Sequence, residues 1–334
     1  MGQLARRSFL VAAGALLALP SARAMKRPAR IGLSFRFDAI FRHREHADSM
    51  ARVGWREGED YIFVEPRIPS NDFRKVREVI TDALAQRPDV LVVHTGAHTA
   101  EAYRQTKTVP IVMLICGYPV EMGVADSLAH PGHNVTGNTI YTGTGIWGKL
   151  LELLKEVQPA VARIGVLWTY APPAFLMSEI EGCFRDIRKN AGALGIGTNI
   201  VEAESEANEP QALDALGAAN PDALLLTSLP YGFWKSWPKV MQFAVARRLP
   251  TIMDMPPLAD DTRPLPVMHY GPSFSELTDR AYSYVDRILK GAKPGDLPIQ
   301  RPGKFDLIVN LKSAKAIGLI LPQTLLLRAD RVIE

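Results

Sequence analysis

The sequence predicts an α/β protein made of two similar lobes, each built around a parallel sheet. The first observation is a repeated phrase: Arg-Ile-Gly at residues 30–32 returns at residues 163–165, an offset of 133 (163 − 30). The second is that Pro-Asp at residues 88–89, which leads into an apolar run, returns at residues 221–222 with the same offset (221 − 88 = 133). Short apolar runs rich in β-branched residues are typical of strands buried on both faces of a parallel sheet.

Strand and helix patterns alternate along both copies of the repeat, which predicts right-handed crossovers and parallel strands. A looser third pair, residues 109–113 and 249–253, extends the repeat at an offset of 140 (249 − 109). In the first copy we predict strands near residues 30, 61, 90 and 110, and helices over 45–53, 70–84 and 99–106. In the second copy we predict strands near 163, 198, 223 and 250, and helices over 147–157, 174–194, 210–217 and 233–247.

The last part of the chain is expected to return to the first lobe. Ser273 and Glu276 have capping-box spacing for a helix that runs to Leu289, and a strand over 305–309 and a helix over 313–317 follow. Lobe 1 should therefore contain residues 25–140 and about 267–295, and lobe 2 residues 141–266 and about 300–334. Crossings near 138–145, 264–270 and 294–302 would form a hinge that can close on a ligand.

Residues 1–24 are predicted to be an export signal. Arg6 and Arg7 precede an apolar core over residues 9–19, and Ala22-Arg23-Ala24 fits a small-x-small cleavage site before Met25. The core is too short to span a bilayer as a stable helix. The run from Arg6 to residue 10 also fits the twin-arginine signal, and the sequence leaves this route and the ordinary secretory route open. We therefore expect a periplasmic protein.

The charge and the cysteines exclude some classes of function. The formal net charge of +4 falls to +1 (4 − 3) when the three arginines of the export signal are removed, so it gives no electrostatic case for binding nucleic acid. Cys116 and Cys183 fall in different lobes, and we do not expect them to form a disulfide. We also expect the protein to be a monomer.

The candidate binding residues follow the predicted strands, because ligands bind outside the carboxyl ends of the strands in open α/β sheets. These ends carry aromatic rings, hydroxyls, backbone donors at helix starts, one guanidinium and one carboxylate. The predicted ligand-binding residues are Ser34, Phe35, Arg36, Thr95, Gly96, Cys116, Gly117, Tyr118, Tyr170, Ser228, Tyr231, Asp254 and Tyr270. Arg36 could hold a carboxylate and Asp254 an ammonium group, or both could be solvated loop residues. The set suits a small zwitterion with an apolar or aromatic side chain.

Other motifs in the sequence resemble catalytic or cofactor sites. Residues 143–148 match the G-x-G-x-x-G pattern of dinucleotide-binding loops, but no acid stands about twenty residues further on for the ribose, so we interpret them as a lobe crossing. His43 and His46 are three apart, with no obvious third metal ligand beside them, while His94 and His98 flank a strand end. No nucleophile or acid–base pair with a partner is apparent. We predict no catalytic residue, no metal and no cofactor, with a periplasmic nucleotide-cofactor enzyme as the alternative.

Two long stretches resemble signatures of a known family. They are Ser-Leu-Ala-His-Pro-Gly-His-Asn-Val-Thr-Gly at residues 127–137 and the tail Lys-Gly-Ala-Lys-Pro-Gly-Asp-Leu-Pro-Ile-Gln at 290–300, which continues through residues 305–312. Residues 54–58 and 270–272 fit as well. On these residues the whole mature chain resembles the ABC transporter substrate-binding protein family that includes the tryptophan/tyrosine-binding components.

The resemblance implies a type I periplasmic-binding-protein fold, with two Rossmann-like lobes that close on a solute and with a membrane permease and its ATPase as partners. The chain departs from the family at residues 117–119, Gly-Tyr-Pro, where the family usually has Asp-Pro, and over residues 35–46, which are rich in charge where the family has Ser and Pro. Both departures lie at predicted ligand-contacting ends, so the aromatic amino acids bound by the family are not carried over directly.

From the residues and the resemblance together we predict the periplasmic solute-binding component of an ABC importer. It would capture a small amino-acid-like solute, aromatic ones included, in the cleft between the lobes by hinge closure. A ligand-sensing module for a membrane receptor needs the same closure and stays open as an alternative.

Overall fold

Two sheets, one for each copy of the repeat, organise the part of the chain that the structure describes. The structure is a computed structural model, and the described residues are 27–36, 42–68, 75–140, 145–169, 177–203, 207–227, 233–255 and 264–334. The predicted export signal therefore lies outside the described residues. None of the helices within the described ranges is long and apolar enough to cross a membrane.

The first sheet has five strands among the described residues, in the order β2-β1-β3-β4-β5, and every neighbouring pair is parallel. Its strands are β1 (Ala29–Leu33), β2 (Tyr61–Val64), β3 (Val90–Val93), β4 (Ile111–Met113) and β5 (Val135–Gly137). The helices between them are α1 (His43–Arg52), α2 (Val76–Ala85) and α3 (Gly96–Gln105). The alternation of strands and helices is the one that the sequence pattern predicted, with β5 as an addition at the edge.

The second sheet has seven described strands, in the order β12-β11-β10-β9-β8-β6-β7. Its strands are β6 (Arg163–Thr169), β7 (Gly197–Ala203), β8 (Ala223–Leu226), β9 (Thr251–Met253), β10 (Met268–Pro272), β11 (Phe305–Asn310) and β12 (Arg331–Ile333). The helices are α4 (Gly145–Val157), α5 (Met177–Ala193), α6 (Glu209–Ala218), α7 (Phe233–Ala246), α8 (Phe274–Leu289), α9 (Leu311–Ala316) and α10 (Gln323–Arg328), of which α8 packs on the first sheet. Only β10 and β11 run antiparallel among these pairs.

The repeat seen in the sequence is present at the level of single hydrogen bonds. The backbone N–H of Arg30 donates to Oδ2 of Asp89 over 2.8 Å, and the backbone N–H of Arg163 donates to Oδ2 of Asp222 over the same distance. In return, the N–H of Asp89 donates to the carbonyl of Arg30, and the N–H of Asp222 to the carbonyl of Arg163. The Pro-Asp pair therefore forms the same reciprocal hydrogen bonds with the neighbouring strand in both lobes, and we call this pair of bonds the clasp.

The turn before each clasp also repeats. Arg87 has a φ of 53° and Asn220 a φ of 48°, and both residues directly precede the proline of the Pro-Asp phrase. A left-handed backbone ends the preceding helix in each lobe. Asparagine adopts this conformation more readily than arginine does.

Three buried hydrophobic clusters form the interior of the described part of the chain. One joins a face of the first sheet to α1 and α8, and another joins a face of the second sheet to α6 and α7. The third includes the remaining faces of both sheets together with α4 and α5. The last cluster contains residues of both lobes, so the two lobes share part of their apolar interior.

The chain returns to the first lobe later than the sequence pattern placed it. We expected the return at about residue 267, but β10 pairs with β9 and β11 in the second sheet, whereas α8 packs against α1 and the strands of the first sheet. The return therefore falls at Ser273, between the two elements. An apolar strand pattern is equally suited to either sheet, so pattern alone does not tell which sheet a strand joins.

The segments that cross between the lobes are tied to one another. The N–H of Thr139 donates to the carbonyl of Gln300 over 2.9 Å, and the N–H of Ser273 donates to the carbonyl of Lys304 over 3.0 Å. The carboxylate of Glu276, in the first turn of α8, accepts the N–H of Lys304 over 3.0 Å. These bonds connect the crossing segments directly to one another.

Candidate functional site

The described strand ends of the first lobe meet at one edge of its sheet. Leu33 pairs with Val92 and Val93 pairs with Met113, so β1, β3 and β4 end side by side. The predicted residues that follow these three strands therefore surround one edge. They are Ser34 to Arg36, Thr95 and Gly96, and Cys116 to Tyr118.

Ser34 and Thr95 are both buried and engaged in internal hydrogen bonds. The N–H of His94 donates to Oγ of Ser34 over 3.1 Å. Oγ1 of Thr95 accepts the N–H of His98, which makes Thr95 the N-cap of α3, and lies 2.7 Å from Nδ1 of the same histidine. These two hydroxyls shape the edge of the sheet by fixing where β1 and α3 lie.

Gly96 begins α3 and is buried at the same edge. The first turn of a helix carries backbone N–H groups that have no partner inside the helix, and the helix dipole favours negative charge there. The amino end of α3 therefore gives the first lobe a place suited to a carboxylate.

Phe35 is a core residue rather than the aromatic wall that we predicted. Its side chain is fully buried, in the same cluster as Ile31 and Leu33. The physical reason is that the chain bends at Ser34 and Phe35, directly after β1, so that the ring lies with the apolar side chains of β1 instead of at the edge of the sheet. Its ring contacts the rings of His46 and His94 at centroid distances of 5.2 and 5.7 Å.

A group of buried imidazoles lies beneath this edge. Nδ1 of His46 is 2.8 Å from the hydroxyl of Tyr282 in α8, and the rings of His94 and His98 are 5.4 Å apart. Burial lowers the pKa of His46 to about 3 and the pKa of His98 to about 4. Burial, followed by the neighbouring His98 and His46, places the pKa of His94 well below its usual value. The three rings are therefore neutral at neutral pH.

Arg36 is exposed at the end of β1. Its Nε lies 4.0 Å from Oε2 of Glu65, and 54% of its side chain is accessible to solvent. The guanidinium is therefore on the surface of the first lobe, where it can reach either solvent or a ligand.

The segment from Cys116 to Tyr118 is buried, although it follows the end of β4. The carbonyl of Cys116 accepts the N–H of Ile140 over 2.8 Å, and the carbonyl of Gly117 accepts the hydroxyl of Thr139 over 2.7 Å. Tyr118 keeps only 6% of its surface exposed. These bonds attach the segment to the chain that crosses into the second lobe.

Asp254 is the predicted site residue of the second lobe that the structure describes at the end of β9. Only 7% of it is exposed, and its N–H donates to the carbonyl of Leu226 over 3.3 Å. Thr227, one residue before the predicted Ser228, is 2% exposed at the end of β8. Thr227 is an addition to the predicted set, and its signal in the sequence was a hydroxyl at the last position of an apolar run.

The remaining predicted residues divide into two groups. Tyr170, Ser228 and Tyr231 lie outside the described residues. Tyr270 is half-buried, and its ring stacks on that of Phe305 with centroids 5.7 Å apart and planes 19° apart. Burial raises the pKa of Tyr270, and Asp330 adds to the effect. The ring of Tyr270 is thus packed within the second lobe.

The described edges of the two lobes differ in the charge that they favour. The first lobe offers the amino end of α3 and the guanidinium of Arg36, and the second offers the carboxylate of Asp254. Within the described residues, no group of three or more His, Cys, Asp or Glu side chains could hold a metal ion.

The chain matches a known protein family and resembles several known proteins. Residues 58–333 match the family model described as ABC transporter substrate binding protein. A curated relative, the "Tyrosine-binding protein" of Clostridioides difficile (strain R20291), is 23% identical over 269 residues, which are 80% of this chain and 73% of the relative.

Two solved structures share the fold at low sequence identity. The ABC domain in complex with L-Trp from Streptococcus pneumonia has a TM-score of 0.77 and 20% identity, over 92% of this chain and 100% of that one. The ligand-free, open structure of a substrate-binding protein with adhesive properties from Clostridium difficile has a TM-score of 0.65 and 20% identity, over 92% of this chain and 99% of that one. The fold is that of type I periplasmic binding proteins, with two lobes, which confirms the predicted fold class.

Proposed function

This chain belongs to the ABC transporter substrate-binding protein family, and from that premise we propose that it is the periplasmic solute-binding component of an ABC importer. It captures a small amino-acid-like solute in the cleft between its lobes, and closure of the hinge traps that solute. The closed form then docks on a membrane permease, which an ATPase drives.

The observation that carries this proposal is the buried carboxylate of Asp254 at a strand end of the second lobe. A carboxylate in such a place forms short, strong hydrogen bonds to an ammonium group. The amino end of α3, at the strand ends of the first lobe, suits the carboxylate of the same molecule. The two preferences together select a zwitterion over a sugar or a simple anion.

The relatives support an aromatic amino acid as the solute. One is named a tyrosine-binding protein, and another was solved with L-Trp. This chain departs from the family pattern at Tyr118 and in the charged segment after β1. Its preference among aromatic and other amino acids therefore differs from that of these relatives.

Hinge closure is supported by the arrangement of the lobes. At equal identity and equal coverage of this chain, the TM-score is higher against the L-Trp complex (0.77) than against the ligand-free, open structure (0.65). The segments that cross between the lobes are hydrogen-bonded to one another, which supports their bending together as one hinge. A ligand stabilises the closed state by as much as it binds that state better than the open one.

The proposal places the protein in the periplasm as a monomer, exported by the signal at residues 1–24, with no catalytic activity and no role in nucleic-acid binding. A thermal-shift screen of the chain from Met25 against the amino acids, with NAD as a control, tests the solute class. A ligand at about a hundred times its Kd should stabilise the folded protein by about 2.7 kcal/mol. A response to NAD alone would contradict the proposal and favour the cofactor enzyme.

The role of Asp254 has a sharper test. Asp254→Asn should weaken binding of the responding amino acid at least about tenfold in isothermal titration calorimetry, because a charged hydrogen bond becomes a neutral one. Asp222→Asn is the matched control, since it changes a carboxylate of the same lobe at the opposite edge of the sheet and should leave affinity unchanged. Equal affinity of the wild type and Asp254→Asn would show that this carboxylate does not hold the ammonium group.

A further inference from the structure

Tyr118 belongs to the first lobe but lies against the second. It follows β4, whose strand is in the first sheet, while its ring rests on α5, a helix of the second lobe. The ring faces Gly182, where an added methyl group would lie 3.5 Å from Cε1 and Cζ of the ring and equally far from a terminal guanidinium nitrogen of Arg185. The ring therefore lies beside α5, across the boundary between the lobes, at a position where the helix carries no side chain.

Gly182 leaves room for this ring. A methyl group at Gly182 would make an ordinary contact with Tyr118, but a longer side chain would occupy the space that the ring fills. Glycine inside a helix lowers the stability of that helix relative to alanine. Glycine at position 182 therefore keeps the space beside α5 open for the ring of Tyr118.

The contact is part of a larger apolar junction. Cys116 and Ala125, on either side of Tyr118, belong to one buried hydrophobic cluster with Cys183 and Phe184 of α5. Both cysteines are buried, and neither forms a disulfide. Because this junction joins residues of both lobes, rotation of the lobes away from each other must change it.

We propose that Tyr118 is a closure latch: its ring packs on Gly182 in the closed form and stabilises that form, without itself recognising the solute. The inference rests on the proposed hinge closure and deepens it. Because the solute binds the closed state better than the open one, a contact that stabilises the closed state raises the affinity for any solute. Part of that affinity then comes from the contact between Tyr118 and α5. Tyr118 is in this sense a positioning residue, and not the ligand-contacting residue that its place at a strand end predicted.

A double-mutant cycle on the binding of L-tyrosine and L-tryptophan tests the latch. Tyr118→Ala removes the ring and should weaken binding of both amino acids by the same factor, about tenfold. Gly182→Leu should weaken binding to a similar degree, because the new side chain displaces the ring. The double variant should bind no more weakly than Tyr118→Ala alone, since the leucine then has no ring to displace.

Two matched variants control for other effects. Tyr118→Phe keeps the ring and should stay within about twofold of the wild type, and Gly182→Ala adds only the methyl group that fits. A change in the ratio of the two affinities in Tyr118→Ala would mean that the ring touches the solute. Additive effects of Tyr118→Ala and Gly182→Leu would overturn the latch.

A cross-link that depends on closure tests the latch without an affinity measurement. A photoreactive p-benzoylphenylalanine at position 118, irradiated with and without the amino acid that binds in the thermal-shift screen, should cross-link to the peptide of α5 that contains Gly182, and should do so more strongly when that amino acid is bound. The same group at Tyr103, in α3, should not. Cross-links confined to the first lobe would refute the latch, whereas failure of both amino acids to bind would refute only the proposed solute.

Discussion

The two lobes are most alike at the amino ends of their strands and least alike at the carboxyl ends. At the amino ends, Asp89 and Asp222 make the same clasp with the same 2.8 Å bond. At the carboxyl ends, the first lobe buries a group of neutral imidazoles, and the second buries the carboxylate of Asp254. The repeat is thus retained where backbone geometry determines the residue, and it is lost where a solute would be recognised.

The largest expected difference between the lobes is their response to acid. In the folded protein the pKa values of His46 and His98 are about 3 and about 4, below the value of about 6.5 in an unfolded chain. Between pH 6.5 and those values the unfolded state binds more protons, so stability should fall as the pH is lowered through this window. The loss is on the order of 1 kcal/mol per pH unit for each histidine.

Hydrogen exchange read by mass spectrometry at pH 7 and pH 5 would locate this loss, which should be concentrated in α1 and α3 of the first lobe. His46→Gln should reduce the pH dependence because glutamine is neutral throughout. His130→Gln is the control, since His130 is exposed and solvated whether or not the chain is folded. An equal loss of protection in both lobes would argue against a role for these buried rings.

The next largest difference concerns the glycines of the repeated Arg-Ile-Gly phrase. A methyl group at Gly32 would lie 2.7 Å from Cβ of Pro88, which is held in a ring, whereas one at Gly165 would lie 2.7 Å from Cδ1 of Leu216 and 2.9 Å from Cδ2 of Leu224, the ends of two flexible side chains. Gly32→Ala should therefore lower the free energy of unfolding by about 2–3 kcal/mol, and Gly165→Ala by only about 1 kcal/mol.

Urea denaturation of both variants measures this contrast. Gly192→Ala, in α5, is a suitable control because a methyl group there meets nothing within 4 Å, and it should be neutral or slightly stabilising. If Gly32→Ala and Gly165→Ala were equally destabilising, rigidity of the neighbouring side chain would not be what separates the two lobes.

The smallest expected effect comes from the left-handed turns before the prolines. Arg87→Asn should stabilise the protein by about 0.5–1 kcal/mol, because asparagine tolerates a φ of 53° better than arginine. Asn220→Arg should cost a similar amount, and the double exchange should return the unfolding midpoint in urea close to that of the wild type. A gain from Asn220→Arg would be the opposite of what the repeat predicts.

Much of this architecture could be predicted because the order of strands and helices follows from the apolar runs and their spacing. The repeat at offset 133 corresponds to real strands and to identical hydrogen bonds, which confirms that part of the sequence argument. The short edge strands β5 and β12 were not predicted, because neither has a matching stretch in the repeat, whereas β4 and β9, which are equally short, were found through it. Which sheet β10 joins depends on the strands that it pairs with, and its own sequence pattern does not identify those strands.

The candidate site was predictable in position but not in the direction of its side chains. Thr95 and Asp254 do lie at strand ends, because the rule for open α/β sheets concerns the backbone. Phe35 was predicted to contact the ligand, but its ring lies in the core because the chain bends directly after the apolar run, which the run itself does not signal. The stacking of Tyr270 on Phe305 and the packing of Tyr118 on Gly182 join residues far apart in the sequence, and no spacing signals such pairs.

The placement of α8 has a consequence for the order in which the protein can be completed during synthesis. All five strands of the first sheet precede residue 140, but the helix that covers one of its faces is made only after most of the second lobe. Until Tyr282 and its neighbours emerge, His46 and the apolar face beneath them lack their cover. A nascent chain that pauses in the second lobe therefore carries an unfinished first lobe, the kind of surface that chaperones bind.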